Sequence, residues 1–375
     1  MPTLKYKNPR LPSHFYVLFE PPGSDGEEVL RFISERRRIK LKGHSFREFQ
    51  EHVIPLLDGR HSIQEIEERV SDVFRPQDLE DALQLLAEQN LLEDASESGA
   101  GTEEAALEPQ SNFLREVSPD PKAAQEKLNQ ATIVCLGLGG PGPAVALALA
   151  GAGVGSLRCL DALEVAPADL YLSPVYSKAD VGMPRAEALR RRIAAASPGT
   201  RVTSNGKQFD SDADVREAVA GADFVVCCLD AGQSSLIYKL NRVCLAEKIP
   251  WTSCAVTGME VVVGPTVIPD ETACFLCYKM RAVACAEDSE ADFAFQRLLD
   301  RRKLDDSGKR ENLNFAAGIA ANLLGLEVFK LVSGAMPSPT VGRIAVFDLI
   351  ALSLKKHVVL RKPWCPACFP QGNAG

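Results

Sequence analysis

The apolar positions in residues 1–95 predict a small module in which strands are followed by helices. Residues 14–21 and 28–43 are rich in aromatic and β-branched side chains and predict strands, the second stretch being long enough for two. Three helices, each with one apolar face, are predicted to follow. The first lies at 45–59, the second begins after the capping residue Ser62, and the third lies at 75–94. This order is typical of a winged-helix-like α+β module.

Residues 123–375 alternate between strand and helix patterns. Short apolar runs that predict strands are separated by amphipathic stretches that predict helices. Such alternation is typical of an α/β fold, a doubly wound Rossmann-like domain with a mostly parallel sheet. The stretch 314–334 is apolar nearly all round, which predicts a buried helix.

Between these two patterns the composition changes. Residues 93–112 are rich in Glu, Ala, Ser and Gly and contain little that could fill a core. We therefore predict a flexible acidic linker at 96–122, which divides the front module from the α/β domain.

The bulk composition excludes several classes of protein. A chain of 375 residues exceeds a typical domain of roughly 100–200 residues, which agrees with two units. The net charge of −8 argues against a nucleic-acid binder or a protein of anionic membrane surfaces. The N-terminus lacks the apolar core of a secretory signal and no run resembles a membrane span, which predicts a cytoplasmic protein. Its 11 cysteines should then be reduced, and paired CxxC motifs suggest a metal site.

A glycine loop follows the first predicted strand of the α/β domain. Gly137, Gly139 and Gly142 stand in the order GxGxxG between a strand and a helix, where free backbone N–H groups could hold phosphate. Asp161 ends the next strand, as a ribose-binding carboxylate would. On these residues alone, a strand–helix turn without a ligand is an equal alternative.

Four cysteines form two knuckles, Cys274 with Cys277 and Cys365 with Cys368. Two thiolates separated by two residues can face one ion, and two such pairs complete a tetrahedron. We therefore predict one structural Zn²⁺. Six cysteines on predicted strands and helices are expected in the core, and Cys285 is expected to be a surface thiol.

The α/β domain resembles the E1-like adenylating family, which includes the ThiF and MoeB activating enzymes. The resemblance rests on the glycine loop, on the strands ending at Asp161 and Asp230, and on the stretches 180–189 and 342–369. It implies ATP and Mg²⁺ at the glycine loop and adenylation of a peptide carboxy terminus. It also implies that Asp161 contacts the ribose, that Asp230 positions metal and nucleotide, and that Arg185 contacts phosphate.

Several residues depart from that family's pattern. Arg185 stands where the family has lysine, and Asp169 stands where it has asparagine. Leu172 and Ser235 replace two arginines, and Leu163 replaces a second carboxylate. Phosphoryl sites work by placing positive charge where negative charge develops. We therefore expect weak ATP chemistry.

The front module resembles a PqqD-like recognition element for the leader peptides of ribosomal-peptide biosynthesis, and residues 261–281 resemble the E1-like half of azoline-forming cyclodehydratases. The resemblance implies a precursor leader peptide as ligand. It also implies a separate YcaO-type cyclodehydratase as partner, which forms thiazolines or oxazolines, and a homodimer.

The leader is expected to add a strand beside the second predicted strand region and to place apolar side chains on the third helix. Arginines at 36–38 would favour an acidic leader. The predicted contacts are Arg37, Arg38, Ile39, Leu41, Leu79, Leu83 and Leu86. For the three leucines of the helix, plain core packing is the alternative.

Two other functions remain open from the sequence. An active E1-like enzyme that adenylates a precursor peptide is favoured by the intact glycine loop with Asp161 and Asp230, and opposed by Leu172 and Ser235. A transcription regulator would suit the front module alone, but the acidic charge and the cysteine knuckles argue against it.

Overall fold

The computed structural model describes residues 6–22, 26–95, 102–229, 233–301 and 313–369. It divides into two compact units, 1–118 and 119–375. Each unit has its own apolar core and is described separately below.

The first unit contains a three-stranded antiparallel sheet and a short additional strand pair. The sheet has the order β2–β3–β4, and β1 pairs with β5. The predicted stretch 28–43 forms two strands, as expected. The strands are β1 (Pro9–Arg10), β2 (Tyr16–Glu20), β3 (Glu28–Ile33), β4 (Arg38–Gly43) and β5 (Glu93–Asp94).

Helices of the first unit share one apolar core with this sheet. The stretch predicted as one helix at 45–59 is a continuous but irregular helical segment, with α1 (Phe46–Glu48), a π-turn at Phe49–Val53 and a 3₁₀ turn at Ile54–Leu56. Ser62 and Glu65 form the predicted capping box at the start of the next helix. The remaining helices are α2 (Ile63–Val70), α3 (Pro76–Glu88) and α4 (Thr102–Val117).

Helix α4 lies where the sequence predicted a flexible linker at 96–122, and that prediction is wrong for this stretch. Leu114 is fully buried, and Arg115 forms a salt bridge with Glu93. His14 lies 3.0 Å from Asn112 Oδ1 and 3.1 Å from Glu116 Oε1. A single buried leucine and polar contacts to distant residues are enough to attach a helix whose composition is poor in apolar residues.

We expect Leu114→Ala to lower the free energy of unfolding by about 2–5 kcal/mol, because it removes a fully buried side chain and leaves a cavity. Urea unfolding followed by circular dichroism measures this loss. Phe113→Ala is the matched control, since the neighbouring Phe113 is 48% exposed and its removal should cost much less. Equal effects of the two substitutions would contradict the placement of α4.

The second unit is an α/β domain around one eight-stranded mixed sheet. The sheet has the order β13–β12–β11–β10–β9–β6–β7–β8. Its strands are β6 (Thr132–Leu136), β7 (Ser156–Leu160), β8 (Arg201–Asn205), β9 (Phe224–Cys227), β10 (Trp251–Thr257), β11 (Glu260–Val263), β12 (Arg343–Asp348) and β13 (Ser353–Val358).

The five strands from β10 to β8 in that order are parallel, and β11 to β13 extend the sheet as an antiparallel meander. The predicted Rossmann-like fold is confirmed. The helices are α5 (Pro121–Gln130), α6 (Gly142–Gly151), α7 (Pro167–Leu172), α8 (Arg185–Ala196), α9 (Asp212–Val219), α10 (Ser234–Ala246), α11 (Phe275–Ala284), α12 (Ser289–Arg301) and α13 (Asn314–Ser333).

Helix α13 is long and apolar enough to cross a membrane by length and composition alone. It packs against α5 and α6 and against the strands β10 and β11. Its alanines at 316, 317, 320 and 321 and Leu324 are buried. These contacts are those of a central core helix, as the apolar pattern of 314–334 predicted.

Candidate functional site

The glycine loop lies at the carboxyl end of β6, the middle one of the five parallel strands. Gly137 has φ of +87°, and a Cβ there would lie 2.5 Å from the carbonyl oxygen of Cys228. A Cβ at Gly142 would lie 2.1 Å from the carbonyl oxygen of Gly137. Both positions therefore require glycine, because the loop turns against β6 and against the end of β9.

The loop is held by two buried side chains. The Leu138 N–H donates to Asp161 Oδ2 at 2.7 Å, and the Tyr176 hydroxyl donates to the Leu138 carbonyl at 2.7 Å. Burial raises the pKa of Tyr176, so its hydroxyl stays protonated and remains a donor. The loop has a fixed shape, and one of its backbone N–H groups is already donated within the protein.

A buried ion network lies directly beneath the loop. Arg185 Nε and Nη2 donate to the two carboxylate oxygens of Asp169 at 2.9 and 2.8 Å. Its Nη1 lies 3.4 Å from Asp161 Oδ2. Relative exposure is 4% for Asp161, 1% for Asp169 and 3% for Arg185. The carboxylate predicted for ribose and the arginine predicted for phosphate are therefore brought together, but they bind each other.

Asp161 is also bonded to the backbone that follows its strand. Its Oδ1 accepts from the Leu163 N–H at 2.9 Å, and the Arg185 N–H donates to the Leu163 carbonyl. Asp169 caps its own short helix α7, since its Oδ2 accepts from the Ala166 N–H at 2.8 Å. Each carboxylate thus joins Arg185 to a different part of the chain.

The remaining residues of the sequence-predicted nucleotide site fall into three groups. The Gly139 carbonyl accepts a hydrogen bond from the Gly142 N–H within the loop. Leu172 ends α7, and Ser235 is exposed in the first turn of α10. Asp230 lies outside the described residues. Asp169 departs from a family pattern in the sequence, but its pairing with Arg185 was not predicted, because only the fold brings the two side chains together.

The four predicted metal-ligand cysteines form one cluster. All four Sγ atoms lie within 4.8 Å of one another. The closest cross-knuckle pairs are Cys274 with Cys365 at 3.7 Å and Cys277 with Cys368 at 3.5 Å. Four sulfurs at this spacing fit the ligand set of a tetrahedral thiolate-bound metal ion.

The cluster joins α11 to the segment that follows β13. Cys274 is the N-cap of α11, and Cys277 accepts a hydrogen bond from the Lys362 N–H at 3.3 Å. Burial raises the pKa of the Cys274 thiol to about 11, so a thiolate there requires a nearby cation. The cluster has no open position in its ligand set, which suits a structural site.

The other cysteines lie where the sequence predicted them. Cys285 is exposed at the end of α11. Six are buried in the second unit, at 135, 159, 227, 228, 244 and 254.

In the first unit, strand β4 is an edge of the described three-stranded sheet. The Ser34 N–H donates to the Arg37 carbonyl, which makes these two residues a hydrogen-bonded pair of the antiparallel ladder. Hydrogen-bonded pairs recur at every second residue of this ladder, so the backbone groups of Ile39 and Leu41 bond to β3. The side chains of these two residues pack on the core. The backbone groups of Arg38, Lys40 and Lys42 face away from β3, and their side chains are exposed.

The other predicted peptide contacts need correction. Leu79, Leu83 and Leu86 are each 1% exposed and belong to the core of the first unit, so they do not form a surface pocket. Arg37 is anchored to the module, because its Nη2 donates to the Gln89 carbonyl at 2.6 Å and its guanidinium lies over Phe15. An amphipathic pattern on α3 cannot tell a core face from a docking face.

Comparison with known proteins adds to this geometry. The sequence profile of the ThiF family matches residues 111–367. The molybdopterin-synthase adenylyltransferase of Escherichia coli is 27% identical over 248 residues, which cover 65% of this chain and 89% of that protein. The heterocyst HesA protein of Trichormus variabilis is 28% identical over 247 residues, 66% of this chain and 83% of that protein.

Solved structures resemble more of the chain. E. coli MccB with MccA-N7isoASN has a TM-score of 0.67 at 18% identity and covers 96% of this chain and 99% of its own. PaaA has a TM-score of 0.67 at 20% identity, covering 93% of this chain and 99% of its own. At these identities the likeness is one of fold.

Proposed function

Because this chain belongs to the ThiF family, we propose that it is an E1-like protein of ribosomal-peptide biosynthesis. In this proposal it binds the leader of a precursor peptide and presents the core to a YcaO-type ATP-dependent cyclodehydratase, which forms thiazolines or oxazolines. The chain itself uses ATP weakly, and it works as a cytoplasmic homodimer. The observation that carries the proposal is the exposed basic edge of β4 in a module that precedes an E1-like domain.

The β4 edge suits an extended acidic peptide. The outward backbone groups of Arg38 and Lys40 can pair with an added strand, and the exposed side chains of these two residues give that edge a positive charge. MccB, whose fold matches both units, is the microcin C7 biosynthetic enzyme and has been solved in complex with N-formylated MccA. A peptide ligand for this chain is therefore consistent with its fold.

Weak ATP use follows from the charges beneath the glycine loop. Arg185 is the buried cation of that network and forms ion pairs with the carboxylates of Asp161 and Asp169. Its charge is neutralised before any phosphate arrives, and Leu172 and Ser235 supply none.

The cysteine cluster is proposed to bind one structural Zn²⁺. With ATP, the glycine loop would hold the phosphates and Mg²⁺ would neutralise part of their charge. Helix α13 supports the proposed dimer, since Phe315 and Leu326 on this apolar helix are 71% and 44% exposed.

The second candidate is an active enzyme that adenylates a precursor peptide. The glycines that the loop requires at 137 and 142 are kept, and the curated relatives include adenylyltransferases. Intact loop geometry favours this candidate, and the neutralised Arg185 opposes it.

Measurements on the purified full-length protein test the proposal. With a fluorescently labelled precursor leader, anisotropy should show saturable binding that weakens with salt, because the β4 charges are exposed. Pyrophosphate exchange with the full precursor and ATP should stay near background for this chain alone. Azoline formation, seen by mass spectrometry as loss of water from the precursor, should require the added YcaO protein, and light scattering should give the mass of a dimer. Robust pyrophosphate exchange by this chain alone would contradict the proposal and would favour the second candidate, the adenylating enzyme.

A further inference from the structure

The buried network beneath the glycine loop contains two carboxylates and one guanidinium. Asp169 engages Arg185 in a bidentate pair, and Asp161 takes a third N–H of the same guanidinium at the longer distance of 3.4 Å. Bidentate arginine–carboxylate pairs combine charge with fixed geometry. Asp169 is therefore the partner that sets where the guanidinium lies.

Arg185 lies close enough to the glycine loop to act on a bound anion. Asp161 Oδ2 accepts from the Leu138 N–H of the loop and also lies 3.4 Å from Arg185 Nη1. A single carboxylate oxygen thus separates the guanidinium from a backbone group of the loop. Release of the guanidinium from Asp169 would free Nε and Nη2, the two N–H groups that this carboxylate now holds, for an anion at the loop.

We propose that Asp169 is a positioning residue. It holds the Arg185 guanidinium toward helix α7 and away from the phosphates that the glycine loop would bind, and it thereby keeps the affinity for nucleoside triphosphates low. Turning Arg185 toward a phosphate would leave the Asp169 carboxylate buried without its cation, which is costly. This inference rests on the proposed function in one respect, that the glycine loop is the nucleotide site.

The proposal makes Asp169→Asn a gain-of-binding variant. Asparagine has the same shape and can still accept from the Ala166 N–H, but it lacks the charge that holds Arg185. We expect ATP to bind about tenfold more tightly, equivalent to about 1.4 kcal/mol. Isothermal titration of Mg-ATP into the full-length, metal-loaded protein measures this change.

Asp180→Asn is the matched control. Asp180 also caps a short helix, since its Oδ2 accepts from the Ser177 N–H at 2.7 Å, but no arginine partner is found for it among the described contacts. We expect its affinity for ATP to match that of the parent. The double variant Asp169→Asn with Arg185→Gln should lose the gain, because the released charge is absent.

A folded Asp169→Asn protein with unchanged or weaker ATP binding would overturn the proposal. If that variant does not fold, Asp169→Ser provides the test, because it also removes the carboxylate charge and is smaller. We expect the same gain in ATP affinity, and unchanged or weaker binding would overturn the proposal. Robust pyrophosphate exchange by the parent protein would contradict the proposed function. The ATP affinities of the parent and of Asp169→Asn would still test the role of Asp169.

Discussion

Replacing Cys274 with serine is expected to remove the bound metal and to destabilise the second unit strongly. Cys274 is fully buried, and its Sγ lies 3.9 Å from Cys277 and 3.7 Å from Cys365. Without this thiolate the remaining three ligands bind a metal ion more weakly. Because a structural metal ion contributes directly to folding, we expect a loss of about 3 kcal/mol or more.

The loss of stability extends beyond the four cysteines. The cysteines hold the start of α11 against the segment after β13, and Arg361 Nη2 donates to the carbonyls of Asp270 and Thr272 in the same region. Phe275, beside the first ligand, packs in a T-shaped contact with Tyr238 and against Trp251. Release of the second knuckle should therefore loosen a corner of the core.

The measurement is metal content by inductively coupled plasma spectrometry, combined with thermal unfolding. The parent should carry about one zinc per chain, since four thiolates complete a tetrahedral site. The variant should carry little metal, and its unfolding midpoint should fall by ~10 °C. Cys285→Ser is the matched control, because that thiol is exposed and outside the cluster. Metal-free parent protein of normal stability would remove the zinc assignment.

The sequence predicted the second unit well because its signals are local. Short apolar strands alternate with helices, and the glycines of the loop mark a turn that no other residue could make at Gly137 or Gly142. The spacing of the cysteines likewise predicted a cluster, since each pair is adjacent in sequence and only one long-range contact had to be inferred.

The failures have a common physical cause. Helix α4 was missed because its attachment depends on Leu114 and on polar contacts to residues about a hundred positions away. The leucines of α3 were predicted as peptide contacts, with core packing as the alternative, because an apolar face has the same pattern whether it meets a core or a ligand. The Arg185–Asp169 pair joins two helices, and only the fold brings them together.

The pairing register of β4 decides which proline substitution tests peptide binding by strand addition. Proline at Ile39 would break a hydrogen bond to β3 and would damage the module itself, because Ile39 pairs with Phe32. Proline at Lys40 removes a backbone N–H that faces away from β3, at an exposed side chain. Lys40 is therefore the position that tests strand addition.

We expect Lys40→Pro to weaken binding of a labelled leader by at least about tenfold, or ~1.4 kcal/mol, since it removes one edge hydrogen bond and hinders pairing of its neighbours. Lys40→Ala is the matched variant, because it removes the charge and keeps the backbone donor. Its effect should be small and should fade at high salt, as expected for an exposed charge.

Fluorescence anisotropy on the full-length proteins measures both affinities, and circular dichroism with thermal unfolding confirms that each variant is folded. Ile39→Pro should instead lower stability and binding together, because it attacks the ladder to β3. If Lys40→Pro is folded and binds the leader as well as the parent does, strand addition at β4 is excluded. Equal losses for proline and alanine at Lys40 would mean that charge recognises the leader there, without main-chain pairing.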